Sequence, residues 1–159
     1  MSARLSEAEL DVWQRLQTVT EMLRREVGRG LRVDADLSEA EFTVLAHLAE
    51  AGGWARPSEC ARSIGWDSSR LAHQLGRLER RGLVERSTGA DDDGRAQRVT
   101  LTAEGRRAHR RAVGPHLRAA KQWFADALDA GQLEALDGAL AAIEENAARL
   151  QAESGGDRK

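Results

Sequence analysis

One stretch of the chain carries hydrogen-bond donors at a spacing suited to recognition chemistry. At about 100° per residue along a helix, Ser69, Arg70, His73, Arg77 and Arg80 gather on one side, with Gln74 and Arg81 on its flank. Hydroxyl, imidazole, amide and guanidinium groups on one face can donate to phosphate oxygens and to the purine edges of a DNA major groove. Leu71, Leu75 and Leu78, with Ala72 beside them, recur on the opposite face, which is therefore the buried one. Asp67 is placed to cap the amides of a helix opening Ser68-Ser69-Arg70, and Gly82 stands where a left-handed C-terminal cap is usual. Taken alone, the same charges also suit an ordinary solvated surface face.

The residues that follow must position this helix. Leu83 to Ser87 and Gln97 to Leu101 alternate or are β-branched, and Thr88 to Ala96 joins them, which predicts a hairpin with a long, projecting tip. Arg95 near the end of that tip is placed to reach an adjacent minor groove or the backbone. Before the helix, Pro57 suits a first helical position, and Ser58 to Ile64 makes about two turns with Cys60, Ala61 and Ile64 inward. Gly65-Trp66 is then a tight turn. Two helices joined this way, the second with a polar outer face, form a helix-turn-helix, and the hairpin makes it winged.

The flanking segments read as helices. Ser6-Glu7-Ala8-Glu9 and Ser38-Glu39-Ala40-Glu41 both have capping-box spacing. Behind the first, Trp13, Leu16, Thr20, Leu23 and Val27 predict a long helix ending near Gly28 to Gly30. Behind the second, Phe42, Leu45, Leu48 and Ala49 form an apolar stripe closed by Gly52-Gly53. Thr102 can cap a helix from Ala103 towards Leu128, with a bend or break expected at Gly114-Pro115. In the last helix Leu133, Leu136, Leu140, Ile143, Ala147 and Leu150 keep a heptad-like repeat, and a polar, disordered tail is expected over residues 154–159. The terminal helices lie outside the winged unit and expose an apolar stripe that a partner chain would cover; packing on each other within a monomer is the alternative. A twofold dimer suits a palindromic site with half-sites about one helical turn apart.

Composition sets bounds on these readings. The chain has 159 residues, enough for one ordinary domain or a small one with helical extensions. No apolar run approaches a membrane span and Met1 to Leu10 has no signal-peptide pattern, so a soluble, cytoplasmic protein without membrane contact is expected. The net charge of -2 does not advertise a nucleic-acid binder, but its distribution is uneven. Asp67 to Arg86 holds five arginines and three acids, whereas Asp126 to Glu153 holds seven acids and one arginine. Such a dipole presents the basic part to DNA.

Leu78-Glu79-Arg80-Arg81-Gly82-Leu83-Val84-Glu85-Arg86, then Asp93-Gly94-Arg95, then Val99-Thr100-Leu101-Thr102-Ala103-Glu104-Gly105 together resemble the MarR family of bacterial transcription regulators. The resemblance implies a mainly α fold with a small β-hairpin wing, over a single domain spanning residues 1–159. The winged helix-turn-helix lobe would occupy residues 38–101 and the dimerisation helices residues 6–30 and 103–153. It further implies a homodimeric repressor of a palindromic DNA operator, released by a small aromatic or phenolic effector. Ser68, Ser69, Arg70, His73, Gln74 and Arg77 would lie near the major groove, Arg95 would enter the minor groove, and Asp93 would support the wing. Three consecutive aspartates, Asp91 to Asp93, depart from what phosphate contact wants and leave Arg95 to carry the wing's contact.

Other residues admit competing readings. Trp13, Phe42 and His47 could line an aromatic effector site, with core packing or dimer contact as the blander role. His47, His109 and His116 could approach a metal, but no nearby pair has the closer four-residue ligand spacing, and no metal or other cofactor is expected. Cys60 stands at an apolar position, where an inert buried thiol is expected and a redox sensor is not. No phosphate loop, nucleophile elbow or catalytic triad order is visible, so no enzyme is expected. The alternative from a different class is a metal- or small-molecule-sensing helical dimer in which DNA contact is secondary.

Overall fold

The computed structural model describes residues 4–88 and 97–156. Residues 89–96 of the expected wing tip, Asp91 to Asp93 and Arg95 among them, lie outside the described residues. The chain divides into two compact units, one ending at Ala120 and one beginning at Lys121.

The first unit opens with α1 (Glu7–Ala35), started by the Ser6/Glu9 capping box. Its N-terminal half leaves Leu10, Trp13 and Leu16 exposed, while Gly28 and Leu31 are buried. The helix does not stop at Gly28 to Gly30 as its sequence suggested, because packing outweighs the helix-weakening effect of glycine. A Cβ on Gly28 would lie 3.4 Å from the Cβ of Glu39, so the absent side chain lets the next helix approach while Leu31 reaches the core. Asp36, with φ of 53°, ends α1 instead.

Next come α2 (Glu39–Glu50), β1 (Trp54–Ala55), α3 (Pro57–Ser63), α4 (Ser68–Arg80), β2 (Val84–Thr88) and β3 (Gln97–Leu101). The strands form one antiparallel sheet in the order β1-β3-β2, with Val84 opposite Leu101 and Ala55 opposite Val99. The two-residue β1 was not anticipated, since Trp54-Ala55 is too short to show alternation. It exists because β3 has a second edge to pair, extended by the hydrogen bond from Leu101 N to Gly53 O at 2.8 Å. Phe42, Val44, Leu45 and Leu48 of α2, Cys60 and Ala61 of α3, and Leu71, Leu75 and Leu78 of α4 close a core with Leu83, Val84, Val99 and Leu101.

The turn from α4 into the wing is tightly determined. Gly82 (φ 68°) donates to Glu79 O at 2.9 Å and Leu83 to Leu78 O at 2.9 Å, the paired bonds of a glycine-terminated helix. The Thr102 hydroxyl then donates to Gly82 O (2.7 Å) and accepts from Gly105 N (2.9 Å), so one side chain ties this turn to the start of α5 (Ala103–Trp123). The helix is uninterrupted at Gly114-Pro115, contrary to expectation, and ends five residues before Leu128. Ala108 and Ala112, both buried and seven and three residues before the proline, seat that part of the helix on the core.

In the second unit a 3-10 turn at Ala125–Ala127 leads to α6 (Ala130–Gly156). Asp129 and Gln132 cap its start reciprocally, at 2.9 and 3.0 Å. Leu133, Leu140, Ile143 and Leu150 are all exposed in the single chain. The helix continues through Ser154, whose hydroxyl donates to Leu150 O at 2.9 Å, so residues 154–156 are helical where a disordered tail was expected. Among the described residues no helix is long and apolar enough to cross a membrane.

Candidate nucleic-acid interface

Leu71, Leu75 and Leu78 anchor α4 so firmly that its remaining faces have fixed directions. Each buried leucine contributes about 1.5–3 kcal/mol of apolar burial. The outward face consequently presents Ser68, Ser69, Arg70 and His73, all exposed, and Arg77, whose side chain is half exposed. Asp67 accepts from Arg70 N at 2.8 Å and caps the helix. The Ser68 and Ser69 amides belong to the first turn and have no preceding helical carbonyl, which leaves two donors at the positive end of a helix dipole for a phosphate.

Two of the cations on this face are held in place. The Arg70 guanidinium lies over the Trp66 indole, 4.1 Å from its centroid, at the i,i+4 spacing that brings side chains together. Arg77 Nε lies 3.9 Å from Glu41 Oε1, and its terminal nitrogens have no hydrogen-bond partner among the described residues. Gln74 is partly buried, and its Oε1 has no partner either. Of the expected DNA-facing residues the structure therefore gathers six on one helix, while Arg95 and Asp93 lie outside the described residues.

Glu41 was not anticipated as part of the site. Only 2% exposed, it accepts through Oε2 from Ser38 N (2.9 Å), Ser38 Oγ (3.0 Å) and Arg81 Nη1 (3.0 Å). Burial acts to raise its pKa, but the Ser38 amide, Arg81 and the Ser38 hydroxyl outweigh it and hold the carboxyl below its usual range. Arg81 also donates to the Asp36 carbonyl (2.7 Å) and carboxylate (2.9 Å). The ends of α1 and α4 and the beginning of α2 are thus clamped through one guanidinium. The signal was present in helical phase: Glu41 shares a face with Val44, Leu45 and Leu48, and Arg77 and Arg81 are four residues apart on α4.

The wing root is fastened as well. Arg86 of β2 bonds Glu79 of α4 at 2.6 Å, and Arg98 of β3 stacks on Trp54 of β1 at 3.8 Å. Arg98 was not singled out from its sequence, because its pairing with Trp54 depends on a strand that the sequence did not reveal.

The expected aromatic effector wall is arranged differently. Phe42 is 7% exposed, and its ring meets His109 at 5.7 Å and His116 at 4.4 Å. His47 is five residues further along α2 and so points to another side, and Trp13 is half exposed on α1. Burial lowers the pKa of both His109 and His116. Among the described residues no three His, Cys, Asp or Glu side chains cluster as a metal site. Cys60 is buried, and burial pushes its thiol up to about 11.

The model of the MarR family matches residues 35–96, which contain the helix-turn-helix and the β2 strand. Over that stretch the chain is similar to the MarR family. Its fold is similar to AbsC, a MarR family transcriptional regulator from Streptomyces coelicolor, at 28% identity and TM-score 0.81, over 91% of this chain and 97% of that one. A second MarR family regulator from Streptomyces coelicolor, solved in complex with DNA, is 29% identical with TM-score 0.84, over 92% and 91% of the two chains. CouR from Rhodococcus jostii RHA1, bound to p-coumaroyl-CoA, is 26% identical with TM-score 0.71, over 89% and 95%. Among curated proteins none matches. The fold is thus similar to that of MarR family transcriptional regulators, one of them solved in complex with DNA, and α4 leaves its polar face exposed among the described residues.

Proposed function

We propose that this protein is a MarR family transcription regulator, a homodimeric repressor that reads a palindromic operator through α4 and responds to a small aromatic or phenolic effector. The observation that carries the reading is the two-faced α4, with three buried leucines on one side and Ser68, Ser69, Arg70, His73 and Arg77 on the other. A related regulator in complex with DNA supports the operator, and CouR in complex with p-coumaroyl-CoA supports an effector. In this reading Ser68 and Ser69 hold a phosphate at the helix N-terminus, while Arg70, His73, Gln74 and Arg77 face the bases. Arg95 reaches the minor groove from a wing that Asp93 supports.

The DNA upstream of the protein's own gene provides the test. Binding should exceed that to a scrambled duplex and fall steeply between low and moderate salt. Arg77→Ala should weaken operator binding by about 1–3 kcal/mol and relax preference at one position of each half-site. A uniform loss on every duplex would make Arg77 a phosphate contact, and no loss would remove it from the interface.

Dimerisation rests on the exposed Leu133, Leu140, Ile143 and Leu150 of α6 and on Leu10, Trp13 and Leu16 of α1. Apolar stripes of this length on a water-soluble chain call for a partner surface. Ile143→Asp should shift sedimentation from dimer to monomer at micromolar concentration, leaving helix content nearly unchanged. A variant that still sediments as a tight dimer would exclude α6 from the interface.

A further inference from the structure

The arginines of α5 fall into two sets. Arg107 and Arg111 both pair with Glu104, at 2.7 and 3.2 Å. Arg106 and Arg110 have no ionic or hydrogen-bond partner among the described residues. These two, with His109 between them, wall a depression of about 350 Å³ whose floor is Ala49, Gly52, Gly53 and Leu101.

The depression is built, not left over. Its backbone groups are already satisfied: Gly53 N donates to Leu48 O (2.7 Å), Gly52 N to Ala49 O (3.2 Å), and Gly53 O accepts from Leu101 N (2.8 Å). The floor thus offers these acceptors little freedom to bind a guanidinium. Arg106 nevertheless lies against it, since a Cβ on Gly53 would sit 2.5 Å from Arg106 Nη1. Gly53 also has φ of 101°, so the backbone conformation favours glycine there, while the flexible end of Arg106 occupies the space a side chain would take. The His109 ring is held by its stack on Phe42. Glu50, at the end of α2, acts on His109 electrostatically but pairs with neither arginine.

Two cations turned toward one concavity repel each other, and no carboxylate among the described residues pairs with them. A planar oxyanion would do so, because each guanidinium can present two parallel donors to it. We propose that the depression walled by Arg106, His109 and Arg110 binds a small organic oxyanion, a carboxylate or phosphate group on a compact apolar body resting on Ala49 and Leu101. Its volume lies at the small end of ligand sites. Because the floor runs directly into β3, an occupant would bear on the sheet that carries the wing.

The full-length protein, without DNA, is titrated calorimetrically with benzoate and, separately, with inorganic phosphate at fixed ionic strength. One site per chain should saturate, with benzoate if the anion is a carboxylate and with phosphate if it is a phosphate group. Arg106→Ala with Arg110→Ala should weaken binding about tenfold or more. Arg107→Ala with Arg111→Ala removes the same charge from the same helix and should change binding less than about twofold. Equal losses in the two double variants would reduce the effect to general electrostatics and overturn the proposal, as would no saturation by either anion. If the alanine pair unfolds the chain, Arg106→Lys with Arg110→Lys keeps the charge. It should still weaken binding severalfold by losing the bidentate donors, and unchanged affinity would overturn the site. Loss of DNA affinity in the first pair without any anion binding would instead assign these arginines to the DNA backbone.

Discussion

Glu41→Ala should lower the unfolding free energy by about 3–5 kcal/mol, the usual loss when one member of a buried ion pair is removed. The carboxylate is 2% exposed and accepts three hydrogen bonds through Oε2 alone. Alanine would strip the Ser38 amide of its acceptor and leave Arg81 with only Asp36, whose side chain is 97% exposed. Chemical denaturation at pH 7 measures this directly, and a loss below about 1 kcal/mol would mean that water replaces the carboxylate readily.

The same group makes stability depend on pH with a definite sign. Its carboxyl is held below the usual range, so its contribution is complete above the unfolded pKa of about 4.3 and disappears as pH falls through the lower folded value. His109 and His116 act earlier. Burial lowers their pKa values, so the unfolded chain takes up protons first as pH drops below about 6.5 and stability declines there. Wild type should therefore weaken in two stages. Glu41→Gln should keep the first stage and flatten the second, and parallel curves down to pH 3 would show that Glu41 is not held as a carboxylate.

Gly105→Ala should destabilise the protein by at least about 1–3 kcal/mol, the range for overpacking a filled site. Intrinsic helix preference points the other way by up to about 1 kcal/mol, since alanine is the better helix former. Sterics should win because the new Cβ would overlap the Leu83 carbonyl oxygen, with the Leu83 carbonyl carbon at 3.0 Å and Leu101 Cδ2 at 3.2 Å. A backbone carbonyl cannot turn aside as a side chain can. Leu83 leads into β2, so relief of the overlap would displace the wing and weaken operator binding as well. Gly138→Ala in α6 is the control: nothing lies within 4 Å of its Cβ, and thermal melting should show a small gain. Equal melting temperatures for Gly105→Ala and wild type would show that α5 can move away from the turn at no cost.

What was legible in the sequence was the part governed by local rules. The two serine capping boxes, the Asp67 cap, the left-handed Gly82 and the leucine face of α4 all follow from side chains within a few residues of one another. What remained hidden depends on partners distant in sequence. Gly28 and Gly30 read as a helix end because their lack of side chain could be understood only beside Glu39 and Ala119. Glu41 read only as part of a capping box because Arg81, forty residues away, was not yet beside it. Phe42 and His47 are on the same helix but not on the same side, and α5 supplies the histidines that meet Phe42, which periodicity within α2 alone could not show.

Cys60 gives this fold a built-in gauge of local opening. The chain's single thiol is 1% exposed in α3, and with a pKa near 11 only on the order of one part in ten thousand is thiolate at pH 7. A maleimide or disulfide reagent can react only in the moments when α3 lifts from α4 and the thiol meets water. Where reclosing is fast, the rate of labelling equals the reagent's rate with a free thiol multiplied by the fraction of molecules open. One unmodified residue therefore reports the fraction of molecules in which the helix-turn-helix is open.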